Sequence, residues 1–169
     1  MSQSYKKIEL TANVLIIALV LLVAGIFAQK YFFSRVATPP LPKAPAIGDK
    51  VLLEGFDWSK SDKTLLLVLQ KGCRYCTESA PFYQNLIQQT KGKPVRLVAV
   101  LPNNREEAEQ YMAELNISGI DIRQASLNSL NVGGTPTLLL ADHEGKVTDV
   151  WLGKLKPDKQ HEALIKLTN

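Results

Sequence analysis

Two cysteines, two histidines and two tryptophans are all that 169 residues carry of those types. So few ligating side chains argue against a structural metal site, which wants four ligands in spaced pairs. Cys73 and Cys76 form one pair, and His143 and His161 stand far along the chain with no finger spacing. No glycine-rich phosphate loop is present, and no internal repeat. A charged face for nucleic acid is missing too. The net charge is +4, yet from Ala46 onward 15 Lys and Arg stand against 15 Asp and Glu. The whole excess comes from Lys6, Lys7, Lys30, Arg35 and Lys43 against Glu9. A basic pI produced by an N-terminal segment is no argument for nucleic-acid binding, which needs a basic stripe on the folded part.

That segment holds the one long apolar run. From Leu10 to Ala28 only Thr11, Asn13 and Gly25 interrupt it, and it carries no charge. Its length in a helix is roughly 28 Å, close to the hydrocarbon thickness of a bilayer. The run lacks a polar face at helical period, which argues against a buried helix of a soluble domain. A cleaved signal peptide is the competing reading, since Lys6 and Lys7 precede the run. Cleavage before Gln29, however, sets bulky Ile26 where a small residue is preferred. The expectation is a single membrane anchor at 10–28, after a cytoplasmic N-terminus at 1–9. Pro39, Pro40, Pro42 and Pro45 then mark residues 29–46 as a semi-rigid extended linker. The folded domain is expected at 47–169.

Within it, "KVLLEGFDW" (50–58) and "KTLLLVLQ" (63–70) read as strands, the second as the buried middle of a sheet. "CTESAPFYQNLIQQTKG" reads as a helix with Phe82, Leu86 and Ile87 on one face, closed by Gly92. "PVRLVAVL" is a further buried strand. "NNREEAEQYMAELNISG" is a helix that Asn103 or Asn104 caps, with Ala108, Met112 and Leu115 on one face. A short strand around "IDIRQA", a hairpin turning at "DHEG", and an amphipathic helix at 157–167 complete the chain. Alternating strands and helices predict an α/β sandwich with a central sheet.

The two cysteines, three positions apart, allow three readings. Metal ligation lacks partners. A static staple closes too small a loop to remove much entropy from the unfolded chain. A working redox pair has a positive case. Cβ atoms at i and i+3 of a regular helix are about 5–6 Å apart, whereas a disulfide wants about 3.8 Å. Such a pair closes only where a helix is just beginning. A strand, Gly72, Cys-x-x-Cys and then helical pattern set it there. The unpaired N–H groups and helix dipole favour thiolate at Cys73, with Lys71 and Arg74 adding to the effect. Cys73 is then the attacking sulfur and Cys76, one turn in, the resolving one.

With "CRYC" at a strand-to-helix junction, Pro81 five residues after Cys76, and "GGTPT" ahead of the last hairpin, the domain resembles the thioredoxin superfamily. It resembles in particular the membrane-anchored, extracytoplasmic TlpA/ResA/CcmG-like thiol–disulfide oxidoreductases, a redoxin-like branch. The resemblance implies a thioredoxin-like fold, a central mixed sheet flanked by helices, and a redox-active Cys73–Cys76 disulfide. It implies a helix-kinking Pro81, and a cis-proline loop in which Thr135 and Pro136 meet the substrate. It also implies an inserted helix–strand unit at 103–125. There are departures. Gly72 stands where thioredoxins have Trp, and Leu67 stands where they bury an acid. Glu78 lies one position off the acid of the ResA-like group, so a solvated or dipole-pairing role competes with proton relay. Tyr75 with Thr135 resembles the periplasmic disulfide isomerases, whose dimerisation domain is missing here. Trp58 and Trp151 read as packing residues.

The expected function is disulfide reduction in envelope proteins, for example in cytochrome c maturation. The expected location is a bacterial cytoplasmic membrane, with the C-terminal domain outside the cytoplasm. Protein thiols and disulfides would be the substrates and a membrane electron donor the partner, with no cofactor, metal or nucleic acid. A thioredoxin-fold adaptor without turnover and a peroxiredoxin-like peroxidase are the rival readings.

Overall fold

A computed structural model describes residues 13–27 and 43–168. The chain divides into two units, one ending at Leu41 and one beginning at Pro42. In the first, residues 13–27 form helix α1, with large apolar side chains exposed from Val14 to Phe27. Among the described residues no helix is long and apolar enough to cross a membrane. The expected N-terminus at 1–9, the ends of the expected anchor at 10–12 and 28, and linker residues 29–42 lie outside the described residues.

The second unit is built on five strands: β1 (Lys63–Val68), β2 (Val95–Leu101), β3 (Asp121–Gln124), β4 (Thr137–Asp142) and β5 (Val147–Leu152). Their order is β3-β2-β1-β4-β5, parallel from β1 to β3 and antiparallel from β1 through β4 to β5. The sheet is therefore mixed, as expected. Central β1 is apolar at every position from Leu65 to Val68 because both of its faces are covered. Period two sorts them. Leu65, Leu67 and Leu69 join the core beneath the helices, while Leu66 and Val68 join a second core with Val51, Phe56 and Val132.

Four α-helices among the described residues complete the unit: α2 (Arg74–Glu78), α3 (Ala80–Thr90), α4 (Arg105–Glu114) and α5 (Pro157–Thr168). The single helix expected from Cys76 onward is two helices. They part at Ser79, because Pro81 in the first turn of α3 has no N–H to donate back into α2. Asn104, rather than Asn103, caps α4, taking the Glu107 N–H at 2.9 Å. Tyr111 joins Ala108, Met112 and Leu115 on the buried side of α4 and its end. Trp151 is buried, and Trp58 packs edge-on against Phe56 with ring centroids 4.6 Å apart.

One expected strand does not form. In the 50–58 segment only Lys50 makes a bridge, to Lys146. Val51, Leu53 and Phe56 do point inward while Leu52 is exposed. The apolar alternation is thus real, but a turn at Glu54 and Gly55 carries the backbone off the sheet edge before a ladder develops. Lys43, the first described residue of this unit, accepts the Gly133 N–H on its carbonyl.

Candidate redox site

β1 delivers the chain to the site. Leu69 N–H still bonds to Val100 O, and the Gln70 carbonyl takes the Cys73 N–H at 3.1 Å. Between them Gly72, at φ +80°, makes the turn that a side chain would resist. Cys73 follows in extended backbone as the cap of α2, and its Sγ accepts the Cys76 N–H at 3.1 Å. The two cysteines, with Cα atoms 5.3 Å apart, are joined as a disulfide. Cys76 is wholly buried and Cys73 half-buried. An irregular helix start thus accommodates the pair, as the spacing required. It also aims a backbone donor at the outer sulfur, which favours its ionised form after reduction.

Across from Cys73 lies the loop before β4. The Thr135–Pro136 peptide bond is cis. The Thr135 carbonyl oxygen sits 3.4 Å from Cys73 Sγ. An oxygen there is an acceptor for a thiol proton and opposes the ionising effect of the Cys76 N–H. The loop is held from three sides. Thr137 Oγ1 donates to Gly134 O at 2.8 Å, and Gly153 N–H donates to Pro136 O at 2.8 Å. Gly133 N–H donates to Lys43 O at 2.6 Å. A Cβ on Gly133 would meet Lys43 N at 2.5 Å, so only glycine fits this approach. Sequence reading missed Gly133, although the doubled glycine before Thr-Pro was a signal for a tight backbone contact.

Lys71, Arg74 and Tyr75 are exposed around the sulfurs, Tyr75 at 55%. Glu78 accepts from Lys154 Nζ at 2.8 Å and from Arg74 Nε at 2.7 Å. These two hydrogen bonds, Lys154 first, hold its carboxyl below the usual range. At neutral pH it is an ion-paired carboxylate, which favours the dipole-pairing role over proton relay. Lys154, 76 residues away in sequence, was not foreseen. Its only signal was a basic residue just past Gly153, in the loop after β5.

Behind Cys76 the expected gap in acids is real, since Leu67 is fully buried in the apolar core. Buried hydroxyls of Ser79, Tyr83 and Tyr111 have no hydrogen-bond partner among the described residues. Burial, the largest cause, raises the Tyr83 phenol well above its ordinary range. Among the described residues no group of three His, Cys, Asp or Glu is placed to hold a metal. A surface hollow bordered by Ile87, Lys91, Val95 and Asp121 lies at the opposite end of the parallel strands.

A sequence model of the redoxin family matches residues 41–165. The chain belongs to the redoxin family. Within that family it is a thiol–disulfide oxidoreductase whose cysteines, Cys73 and Cys76, stand within disulfide reach.

Solved structures resemble this redoxin along most of the second unit. The thioredoxin domain of a thiol–disulfide oxidoreductase from Bacteroides vulgatus matches at 21% identity and TM-score 0.59, covering 75% of this chain and all 100% of that one. A protein designated DsbE, a thiol:disulfide interchange protein from Chlorobium tepidum, matches at 24% identity and TM-score 0.59. The match covers 73% of this chain and 96% of that one. StoA from Bacillus subtilis matches at 19% identity and TM-score 0.53, over 65% and 84% of the two chains. At such identities the likeness bears on fold alone, and the fold is thioredoxin-like. No curated protein sequence matches the chain.

Proposed function

We propose that this redoxin is tethered to a bacterial cytoplasmic membrane by residues 10–28 and reduces disulfides in envelope proteins outside the cytoplasm. The observation that carries the chemistry is the asymmetry of the pair. One sulfur is half-exposed, capped by an N–H and faced by the Thr135 carbonyl, while the other is sealed in the core. In the reduced enzyme the Cys73 thiolate attacks one sulfur of a substrate disulfide. A Cys73–substrate bond forms, the substrate S–S bond breaks, and the departing thiolate takes a proton from solvent. Backbone at Thr135 lies where a bound substrate strand would pair beside the mixed disulfide. Cys76 then attacks Cys73 Sγ and expels the second substrate thiolate. Two electrons have passed to the substrate, and the Cys73–Cys76 disulfide remains. A membrane electron donor would restore the dithiol.

The tether reading rests on the uncharged run Leu10–Ala28 and on the exposed apolar side chains of α1, which need a nonpolar surrounding. Extracytoplasmic placement rests on chemistry, since disulfide traffic belongs to oxidising compartments. Cytochrome c maturation is one assembly process that consumes such reduced thiols.

The test is an insulin-reduction assay with the full chain and its Cys73→Ser variant. Turnover that disappears with Cys73 supports the reading. No turnover in the parent chain points instead to an adaptor, and turnover that survives the substitution removes Cys73 as the attacking sulfur. Direction is set by the potential of the couple: about −270 mV suits a reductant and about −120 mV an oxidant.

A further inference from the structure

The surface around Cys73 is electrically unlike the rest of the domain. Three segments meet there and are tied together by named contacts. Cys73 Sγ lies 3.4 Å from Thr135 O, Gly153 N–H bonds to Pro136 O at 2.8 Å, and Lys154 Nζ reaches Glu78 at 2.8 Å. Between them, residues 69–78, 126–137 and 152–157 carry Lys71, Arg74, Lys154 and Lys156 against the single carboxylate of Glu78. All four cations are exposed, Arg74 with 84% of its side chain accessible. Glu78 is already shared by Arg74 and Lys154, so it cancels one positive charge at most. From Ala46 onward the chain is neutral overall, with 15 charges of each sign. The remaining residues from Ala46 onward are therefore net acidic, and the positive excess sits on the three segments that meet at the sulfur. Tyr75, exposed at 55% between the two cysteines in sequence, adds an aromatic face to the same rim.

We infer that this rim selects its substrates: it favours a polypeptide whose disulfide is flanked by acidic side chains, with an apolar or aromatic neighbour to lie on Tyr75. The inference rests on the proposed disulfide-reductase reading and names its substrate class. Two physical effects act in the same direction. Opposite charge steers encounter and raises the association rate. Acidic neighbours also destabilise the thiolate that leaves when the Cys73–substrate bond forms, and a rim of ammonium and guanidinium groups offsets that penalty during exchange. Basic substrates meet repulsion at the same place, so the rim discriminates against them as well.

The experiment uses the full chain in a zwitterionic detergent, with a chemical reductant for turnover. Two synthetic disulfide peptides serve as probes, identical except for Glu or Lys at the flanking positions. At low salt kcat/KM for the acidic peptide should exceed that for the basic one about tenfold, and the ratio should fall towards one in about 0.5 M salt. The double variant Lys71→Glu/Lys156→Glu should reverse the order. The distant Lys91→Glu/Lys93→Glu pair should leave the ratio as it was. Equal rates, or a preference for the basic peptide, would overturn the inference while leaving the reductase reading intact. Failure to reduce either peptide or insulin would remove both. Anionic lipid is the other chemistry such a rim suits. If vesicles containing it slow both peptides equally while the peptide ratio stays near one, the rim is a lipid contact and the inference is wrong.

Discussion

At the start of α4, Asn104 Oδ1 takes the Glu107 N–H at 2.9 Å, and Glu106 and Glu107 occupy the first turn. At the start of α2, Cys73 Sγ takes the Cys76 N–H at 3.1 Å, no acid follows in the first turn, and the helix ends after five residues. Both caps satisfy a backbone donor that would otherwise be orphaned. They differ in what else they do. Around Asn104 a strong oxygen acceptor, dipole-matched acids and an uninterrupted helix all serve stability. Around Cys73 a weaker sulfur acceptor stands alone, cations replace acids nearby, and Pro81 interrupts the helix. Local rules for a stable helix are relaxed where the cap atom must also react.

Four perturbations probe that contrast. The largest effect belongs to Cys73→Ser, which should reduce insulin-reduction turnover to background. Serine is itself a good cap, so the variant and the reduced parent should agree in urea unfolding to within about 0.5 kcal/mol. A large stability loss would mean that the sulfur is structural after all. Next comes the ionisation of the reduced Cys73 thiol, read from iodoacetamide rates against pH. The N-terminal position should lower it below the value of about 8.5 for a free cysteine. If the Thr135 carbonyl outweighs the Cys76 N–H, the rate will climb through pH 8.5 instead, and the cap contributes nothing to reactivity.

Asn104→Ala supplies the converse case. It should cost about 1 kcal/mol in urea unfolding with turnover unchanged. The smallest effect is electrostatic. Glu78 is held below its ordinary ionisation range by Lys154 and Arg74. Its stabilising contribution should be complete above about pH 4.5, the usual glutamate value, and vanish as pH falls through its folded-state pKa. Unfolding midpoints of the parent and Glu78→Gln should therefore keep a constant separation between pH 6 and 8 and converge in acid. A separation that stays constant down to pH 2 would mean that the carboxylate charge is not what holds Lys154.

Much of the frame was legible in sequence because it depends on patterns within one segment. The run from Leu65 to Val68 announced a strand covered on both faces, and Pro81 marked where the helix bends. Cys73 and Cys76 stood out through their spacing together with the strand, Gly72 and the helical pattern around them. Segment 50–58 misled because alternation reports which side chains go inward, not whether the backbone finds a partner. The lysine bonded to Glu78 and the approach of Lys43 to Gly133 escaped notice because both join residues far apart in sequence. The buried hydroxyls of Tyr83 and Tyr111 gave no signal in sequence, because whether such a group meets a partner depends on elements far apart in the chain.

The backbone clasp between Lys43 and Gly133 has a practical corollary. Shortening the protein to residue 47 would discard the segment that braces the loop facing the sulfurs, even though every strand and every core leucine would survive. A well-folded but sluggish fragment is the outcome to anticipate, and a fragment begun at or before Pro42 should keep its full rate.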